Sequence, residues 1–320
     1  MSKIIIKNYY STDLQLSPKL VLYLSMFLCF VYAQAQSQDS IPKRQFSLRH
    51  DNDFLLGIDR YYTTGSFIGY SNRLSKDFIF NNTAESSLQL DFLIGQETYT
   101  PRELFETDFD LLERPYAGYL FVQSGVNQVK ESHIWSLTAE FGLAGPQSLA
   151  GAIQIAYHEL INEFIPSWVG QIENSVHLNG YAGYVKSFQR NKRVFFDLNS
   201  EVAVGTRQIF VEQGVTLFFG KRDPLSSSSF YNRIGISKEL YGYINSSYKY
   251  VSLNALIQGH PWGDDSPFTL PIVNGIITAK AGLIYRKAAN TFQVEFVTQT
   301  NETQREGQLQ YTGVVYKRAF

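Results

Sequence analysis

The sequence predicts an all-β fold, a transmembrane antiparallel β-barrel of about 12 strands that carries one short helix. Three observations predict it. Long stretches alternate apolar and polar residues with a period of two, which is typical of strands with one apolar and one polar face. Aromatic residues are abundant, with 24 Phe and 21 Tyr. The chain ends on Phe320, which shares a face with Val314 and Tyr316, as in the terminal strand of an outer-membrane barrel.

The alternation is clearest in five stretches after residue 40. Their apolar positions are Leu88, Leu90, Phe92 and Ile94; Trp135, Leu137, Ala139 and Phe141; Val194, Phe196, Leu198, Val202 and Val204; Val251, Leu253, Ala255 and Ile257; and Phe292, Val294 and Phe296. A secreted β-sandwich would alternate in the same way and is the alternative fold. The length of the strands and the aromatic residues near their ends favour a barrel whose apolar face points outward to lipid.

Residues 1–35 are predicted to be a secretory signal peptide. Lys3, Lys7 and Lys19 precede the apolar stretch 20–32, and Ala33-Gln34-Ala35 offers the small residues that a signal peptidase cleaves after. A membrane anchor is the alternative, but the apolar stretch is short for a spanning helix. Residues 36–320 are then expected to form a single outer-membrane barrel domain.

Composition excludes several classes of function. The chain is slightly acidic, with a formal net charge of −1, and removal of the three lysines near its start makes it more so. It therefore lacks the excess of basic residues that is typical of nucleic-acid-binding proteins. Its single cysteine, Cys29, lies in the predicted signal peptide, so the exported protein is expected to lack disulfide and thiol chemistry. We expect it to be a monomer.

One segment breaks the strand pattern. Residues 147–164 follow Gly145-Pro146 with helical spacing, and Pro166 ends the pattern. Leu149, Ile153, Tyr157, Leu160 and Phe164 form one stripe, while Gln154, His158 and Asn162 share another face. In a barrel, such a helix is expected to lie outside the membrane or to pack against the wall.

Two features could carry chemistry. The segment 51–65 places Asp51-Asn52-Asp53 at the end of one strand and Tyr62-Thr63-Thr64-Gly65 at the start of the next. It could hold a cation or a polar substrate, or it could be a solvated hairpin loop. His158 is a possible general base or part of a solvated helix face. The sequence has no zinc-binding histidine pair and no Gly-x-Ser-x-Gly motif of serine hydrolases.

These residues resemble the outer-membrane lipid A 3′-O-deacylases, the LpxR family. Four blocks match in order. They are Asn52-Asp53 with 59–65; Arg114-Pro115-Tyr116-Ala117-Gly118-Tyr119; 142–146 followed by Gln154 and His158; and Pro166-Ser167-Trp168 with 171–174. The resemblance implies a twelve-stranded outer-membrane barrel. It also implies calcium-assisted hydrolysis of the 3′-linked acyloxyacyl chain of lipid A, the lipopolysaccharide anchor of the outer leaflet.

The resemblance also implies the site residues. His158 matches the family's catalytic histidine, Asn52 and Asp53 its Asn-Asp pair, and Thr63 its Tyr-Thr hydroxyl. Glu163 matches an acidic residue after the histidine if the intervening segment is one residue shorter. A neutral histidine can remove a proton from water, and calcium held by Asp53 and Asn52 could polarise the carbonyl. Since adjacent strand residues point to opposite faces, Asn52 and Asp53 can share a site only where the strand ends or bulges.

One departure affects the substrate. A member of the family carries a basic pair in the loop after the third strand, whereas residues 100–113 here hold only Arg102 among five acidic residues. An acidic loop would repel a lipid A phosphate unless a divalent cation bridges them. Two alternatives to the deacylase therefore stay open: a non-enzymatic barrel for transport or structure, and another outer-membrane lipid esterase such as a phospholipase.

Overall fold

The computed structural model describes residues 42–53, 60–74, 86–191 and 193–320, and within them it confirms the twelve-stranded antiparallel barrel. Each strand pairs with the next, and β1 pairs with β12 to close the sheet. The strands are β1 (Arg44–Asn52), β2 (Tyr61–Arg73), β3 (Ser86–Thr100), β4 (Ala117–Lys130), β5 (His133–Ala144), β6 (Ser175–Asn191), β7 (Val194–Gly205), β8 (Gln208–Lys221), β9 (Glu239–Asn254), β10 (Gly275–Lys287), β11 (Asn290–Gln299) and β12 (Leu309–Ala319). The predicted signal peptide lies outside the described residues.

The apolar face of the sheet points outward, as predicted. Large apolar side chains are exposed on the outside of most strands, among them Ile94, Leu137, Val204, Leu283 and Phe292. The opposite face is buried and mostly polar, and it includes Gln45, Glu140, Asp197, Glu295 and Lys317. This is the distribution that a lipid-facing barrel requires. In the part of the chain that the structure describes, no helix is long and apolar enough to cross a membrane.

Charged side chains fill the lumen in pairs. The Arg49 guanidinium lies 2.8 Å from both Asp51 and Glu295, and Arg207 lies 2.8 Å from Glu97. They surround a central cavity of about 560 Å³. Because each of these charges lies beside an opposite charge, the cost of burying them in the lumen is reduced.

The two ends of the barrel differ in their connections. β1 begins and β12 ends at the same end of the barrel, which we call the termini end. Most of the long connections lie at the other end, which we call the loop end: residues 101–116, 145–174, 255–274 and 300–308. Outer-membrane barrels place long loops outside the cell and short turns in the periplasm. The loop end is therefore the extracellular end.

One connection at the termini end is long and folds into the lumen. Residues 222–238 form two 3₁₀ turns, Leu225–Ser227 and Ser229–Tyr231. This segment contacts strands all around the barrel through Arg222–Asp197 (2.6 Å), Asp223–Arg286 (2.5 Å), Asn232–Gln45 (3.0 Å), Arg233–Ser87 O (2.9 Å) and Ser229 O–Lys317 (2.9 Å). It crosses the lumen, and we call it the plug.

The prediction that the strand after residue 250 continues through Ile257 is wrong. β9 stops at Asn254, and a short helix, α2 (Ala255–Gln258), follows. The Asn254 side chain accepts a hydrogen bond from the Leu256 N–H (3.2 Å) and so caps this helix. Val251 also faces inward, beside Ala203 and Phe210, while Tyr250 faces outward. Capping and packing override the two-residue alternation here.

The predicted helix is present and packs on the wall. A 3₁₀ turn, Pro146–Ser148, leads into α1 (Ala150–Ile161), which lies within the predicted range 147–164. Leu149 and Asn162 flank it, both with left-handed backbone conformations. α1 contacts β3 and β4.

Candidate active site

β1 ends at the predicted Asn-Asp pair. Odd-numbered residues of β1, including Arg49 and Asp51, line the lumen, so Asn52 has the outward parity and pairs with Thr64 of β2. Asp53 follows the last strand residue and is buried, and its carboxylate accepts a hydrogen bond from the Arg60 N–H at 2.7 Å. β1 therefore ends between Asn52 and Asp53. This is the condition under which both side chains can serve one site.

A β-bulge places Thr63. The pairing of β2 with β3 shifts between Tyr62 and Thr64, so Thr63 is an extra residue. Its Oγ1 lies 2.7 Å from Oγ1 of Thr100. On β3, Glu97 and Tyr99 line the lumen, so Thr100 has the outward parity. The bulge thus directs the Thr63 hydroxyl to the outer side of the wall, whereas Tyr62 points inward to Asp51.

Together these side chains form a polar patch at the loop end of a largely apolar outer surface. We call Thr63, Thr64, Thr98 and Thr100 the outer threonine row. Thr63, Thr98 and Thr100 are buried, whereas Ile94, two residues from Gln96 on the same face of β3, is 54% exposed. Buried hydroxyls on the lipid side of a barrel need a polar cover, because hydrocarbon offers them no hydrogen bonds.

α1 lies on this same outer side. Gln96 is an outward residue of β3, and its amide donates to the Ser148 carbonyl at 2.6 Å. Gly118, an outward residue of β4, lies under the start of the helix. A Cβ at Gly118 would be 2.2 Å from Oγ of Ser148 and 2.4 Å from Cβ of Ala150. Glycine is therefore required at this position for the close contact between helix and wall.

The polar face of α1 points to the wall and its apolar stripe points away. Ala150 and Gln154 are buried, and His158, four residues after Gln154, is half-buried on the same face. The Trp168 indole N–H donates to the Gln154 side chain at 2.9 Å. The predicted apolar stripe is exposed, with Leu160 at 81%. His158 thus faces the region between helix and barrel.

The histidine is oriented by the end of its own helix segment. His158 Nδ1 lies 2.5 Å from the Phe164 carbonyl, an acceptor, so Nδ1 carries the proton in the neutral ring. Nε2 is then the basic nitrogen. The Glu163 N–H donates to the His158 carbonyl at 2.9 Å, but the Glu163 side chain is exposed. The hydrogen bonds and ion pairs that the structure describes do not join Glu163 or His158 to Thr63.

The donor set fits calcium in kind. Asp53, Asn52 and Thr63 offer carboxylate, amide and hydroxyl oxygens, which hard cations prefer. Among the described residues, no group of three or more His, Cys, Asp or Glu side chains is placed to hold a metal ion. Since calcium takes 6–8 oxygen ligands, most would have to come from backbone, water or substrate.

Two arginines at the loop end were not recognised as functional in the sequence. Arg114 is fully buried, lies 3.1 Å from Glu306 and 3.3 Å from Glu302, and stacks over Tyr99. Arg305 donates to the carbonyls of Asp110 and Leu112. Arg305 therefore adds a positive charge to the acidic loop 100–113 from a distant part of the chain. The sequence around residue 305 gave no local signal for this contact.

Comparison with known proteins identifies the family. The family described as "Outer membrane protein LpxR" matches residues 20–320. Among solved structures, LpxR from Salmonella typhimurium is 18% identical, with a TM-score of 0.73 over 86% of this chain and 100% of that chain. The β domain of the Bordetella autotransporter BrkA is 9% identical, with a TM-score of 0.47 over 88% of this chain and 100% of that chain. No curated protein matches the sequence. The chain belongs to the LpxR family of outer membrane proteins.

Proposed function

We propose that this protein hydrolyses the 3′-linked acyl or acyloxyacyl chain of lipid A, acting as a monomer in the outer membrane. Membership of the LpxR family supports the substrate class. The observation that carries the proposal is the covered polar patch on the lipid side of the wall, next to a helix whose histidine faces that wall. Such a site would meet a lipid from the side of the membrane.

The dimensions of the wall and helix support a shared site. Asn52, Thr64, Thr98 and Gly118 are paired in sequence across β1–β4, a span of about 14 Å for three strand spacings. α1 begins over Gly118, contacts β3, and rises about 12 Å from Ala150 to His158. A helix that crosses the wall from β4 toward β1 would therefore bring His158 close to Asn52 and Asp53.

In the proposed reaction, His158 is the general base. Nε2 takes a proton from water as the water oxygen attacks the ester carbonyl carbon. When the tetrahedral intermediate collapses, the bond to the sugar oxygen breaks, and that oxygen receives the proton from His158. The products are a free fatty acid and a lipid A hydroxyl. The hydrogen bond from Nδ1 to the Phe164 carbonyl keeps the ring in the tautomer that this step needs.

Asp53, Asn52 and Thr63 are proposed to organise the groups that polarise the ester carbonyl. Asp53 and Asn52 would hold calcium, together with backbone, water or substrate oxygens, and Thr63 would orient one of these ligands or the attacking water. Calcium, when bound, supplies polarisation of the ester carbonyl. Glu163 would assist from the segment after the helix, where its side chain is exposed.

The structure favours an enzyme over a channel. The plug crosses the lumen and bonds to strands on several sides of it, which leaves a cavity but opposes passage of solutes. A phospholipase or another lipid esterase would use the same chemistry at the same site. The position of the acyl chain that is lost distinguishes these esterases.

Mass spectrometry of lipid A from cells that express the protein tests the proposal. Wild type is expected to remove the mass of the 3′-linked chain, and His158→Ala to slow this by about 10²- to 10⁴-fold. His133→Ala, at the termini end of β5, is the matched control and should remain active. Undiminished release of the acyl chain by His158→Ala would rule out this mechanism. Release that is equal in calcium and in chelator would exclude the metal.

A further inference from the structure

The exposed side of α1 forms an apolar surface at the loop end. Ile153, Tyr157 and Leu160 are more than half exposed, and Phe164 follows the helix at 76%. Phe105, from the β3–β4 connection, contacts Phe164 edge to face with ring centroids 5.5 Å apart. We call these five residues the α1 patch. Large contiguous apolar surfaces of this kind mark interaction sites.

The position of the helix decides what this patch meets. Gln96 and Gly118 place α1 on the outer side of the wall, so the face opposite Gln154 points away from the barrel. The next outward pair along the same strands is Ile94 and Val122, which are both exposed and apolar. The α1 patch is therefore continuous with the lipid-facing surface of the barrel.

We infer that the α1 patch inserts among the acyl chains of the outer leaflet, so that α1 lies in the membrane interface. An amphipathic helix in this position buries its apolar face at the boundary between headgroups and acyl chains. The polar face, with Gln154 and His158, is then enclosed between lipid and wall. A lipid would reach this face laterally from the leaflet without passing through water.

Charge indicates which force holds the helix there. Residues 145–174 contain no lysine or arginine, and the acidic residues among them are Glu159, Glu163 and Glu173. Attraction to anionic headgroups therefore contributes nothing, and insertion depends on the apolar contact. Binding of this kind is insensitive to ionic strength, in contrast to a basic interfacial helix.

Fluorescence quenching measures this insertion directly. The only cysteine is Cys29, so single cysteines can be placed in a full-length Cys29→Ser background and labelled with an environment-sensitive dye. Leu160→Cys reports on the patch, Leu137→Cys on the lipid-facing wall, and Gln304→Cys on an exposed loop. The labelled barrels are inserted into phosphatidylcholine vesicles that contain lipids spin-labelled on the acyl chain.

The Leu160 label is expected to be quenched by the acyl spin labels to within about twofold of the Leu137 label, at both low and high salt. It should also be several-fold less accessible to aqueous iodide than the Gln304 label. Iodide access equal to that of Gln304, without quenching by lipid, would overturn the inference. A patch that is shielded only at low salt would overturn the apolar mechanism.

A second measurement connects the patch to the proposed function. Leu160→Asn should lower deacylation of lipid A in vesicles several-fold but leave the rate in detergent micelles unchanged, while Glu159→Asn should change neither. Equal rates for Leu160→Asn and wild type in vesicles would count against the inference. If wild type releases no fatty acid, the proposed function fails, and the quenching experiment still decides the position of α1.

Discussion

Two regions of the same outer surface have opposite compositions. Next to α1, the outward side chains of β2 and β3 form the outer threonine row, which is polar and largely buried. Between β4 and β7, the outward side chains line a shallow apolar groove of about 520 Å³, with Leu137, Ala139, Ala182 and Val204 among them. Both regions belong to one continuous sheet.

The difference shows what the cover by α1 and the adjoining loops makes possible. Acyl chains satisfy apolar side chains but not hydroxyl or amide groups. Bare wall is therefore largely apolar, as in the groove, and the few exposed polar side chains next to the row, such as His50 and Ser66, bond to each other. The composition of the outer wall thus separates the part that contacts lipid from the part that can perform chemistry.

The largest expected effect comes from the aspartate at the end of β1. Asp53→Asn should lower acyl release by about 10²- to 10³-fold, because it removes the carboxylate proposed to hold the calcium that polarises the ester carbonyl. Asp51→Asn is the control, since Asp51 lies two residues away but points into the lumen toward Arg49. Rates of fatty acid release from purified lipid A measure both. Equal losses would place the chemistry in the lumen instead of on the outer side.

Two outward glycines provide the next comparison. Gly118→Ala would push the start of α1 away from the wall, and misplacement by about 1 Å can cost about 100-fold in rate. Gly180→Ala, in the apolar groove, should be silent, because the nearest atom to its new Cβ is 3.9 Å away. The same assay applies, with circular dichroism to verify the barrel. Full activity of Gly118→Ala would mean that α1 does not need close contact with β4.

A hydroxyl of the outer threonine row should have a smaller effect. Thr63→Val leaves the buried Thr100 hydroxyl without its partner and should slow release about tenfold. Thr63→Val combined with Thr100→Val removes both partners and should recover stability but not activity. Recovery of activity in the double variant would show that Thr63 only positions its neighbours. Thermal unfolding in detergent and the release assay separate the two roles.

The smallest expected effect is a dependence of the stability of the fold on pH, which comes from Glu306 at the loop end. Burial raises the pKa of Glu306 to about 7, against the opposing effect of Arg114 and with a contribution from Glu302. Because the folded pKa lies above the ordinary glutamate pKa of 4.5, the stabilisation is fully present below pH 4.5 and is lost as the pH rises to about 7. Glu306→Gln should remove this dependence.

The measurement is the unfolding temperature between pH 5 and 8 in detergent. Wild type should lose a few degrees relative to Glu306→Gln, the scale expected for a change of about 1 kcal/mol. The polar side chains and backbone that face Glu306 come from Arg114, Glu302 and Thr303. Parallel curves for the two proteins would contradict a raised pKa.

Much of the fold could be predicted because lipid imposes a strict rule on strands. Outward positions such as Leu137 and Phe292 must be apolar, so alternation identifies them directly. The rule fails where lipid is absent. At the end of β9, a capped helix replaces the predicted strand, and the plug has no periodic pattern that indicates its place inside the lumen.

The candidate site was predictable only in part. The resemblance identified Asn52, Asp53, Thr63 and His158 as candidates. The helical spacing predicted that the apolar residues of α1 share one face. Its direction was not predictable, because the sequence of a helix does not say whether lipid or protein lies next to it. Nor could local sequence indicate the bulge at Thr63, which becomes evident only from the pairing of β2 with β3.

The bulge also shifts the alternation of inward and outward side chains in β2 by one residue. Beyond it, one extra residue exchanges which side chains meet membrane and which meet the lumen, so Tyr62 reaches Asp51 although Thr64 faces outward. Deletion of Thr63 would restore even pairing without changing any other residue. A change of one residue in length at this position would therefore matter more than most changes of residue type.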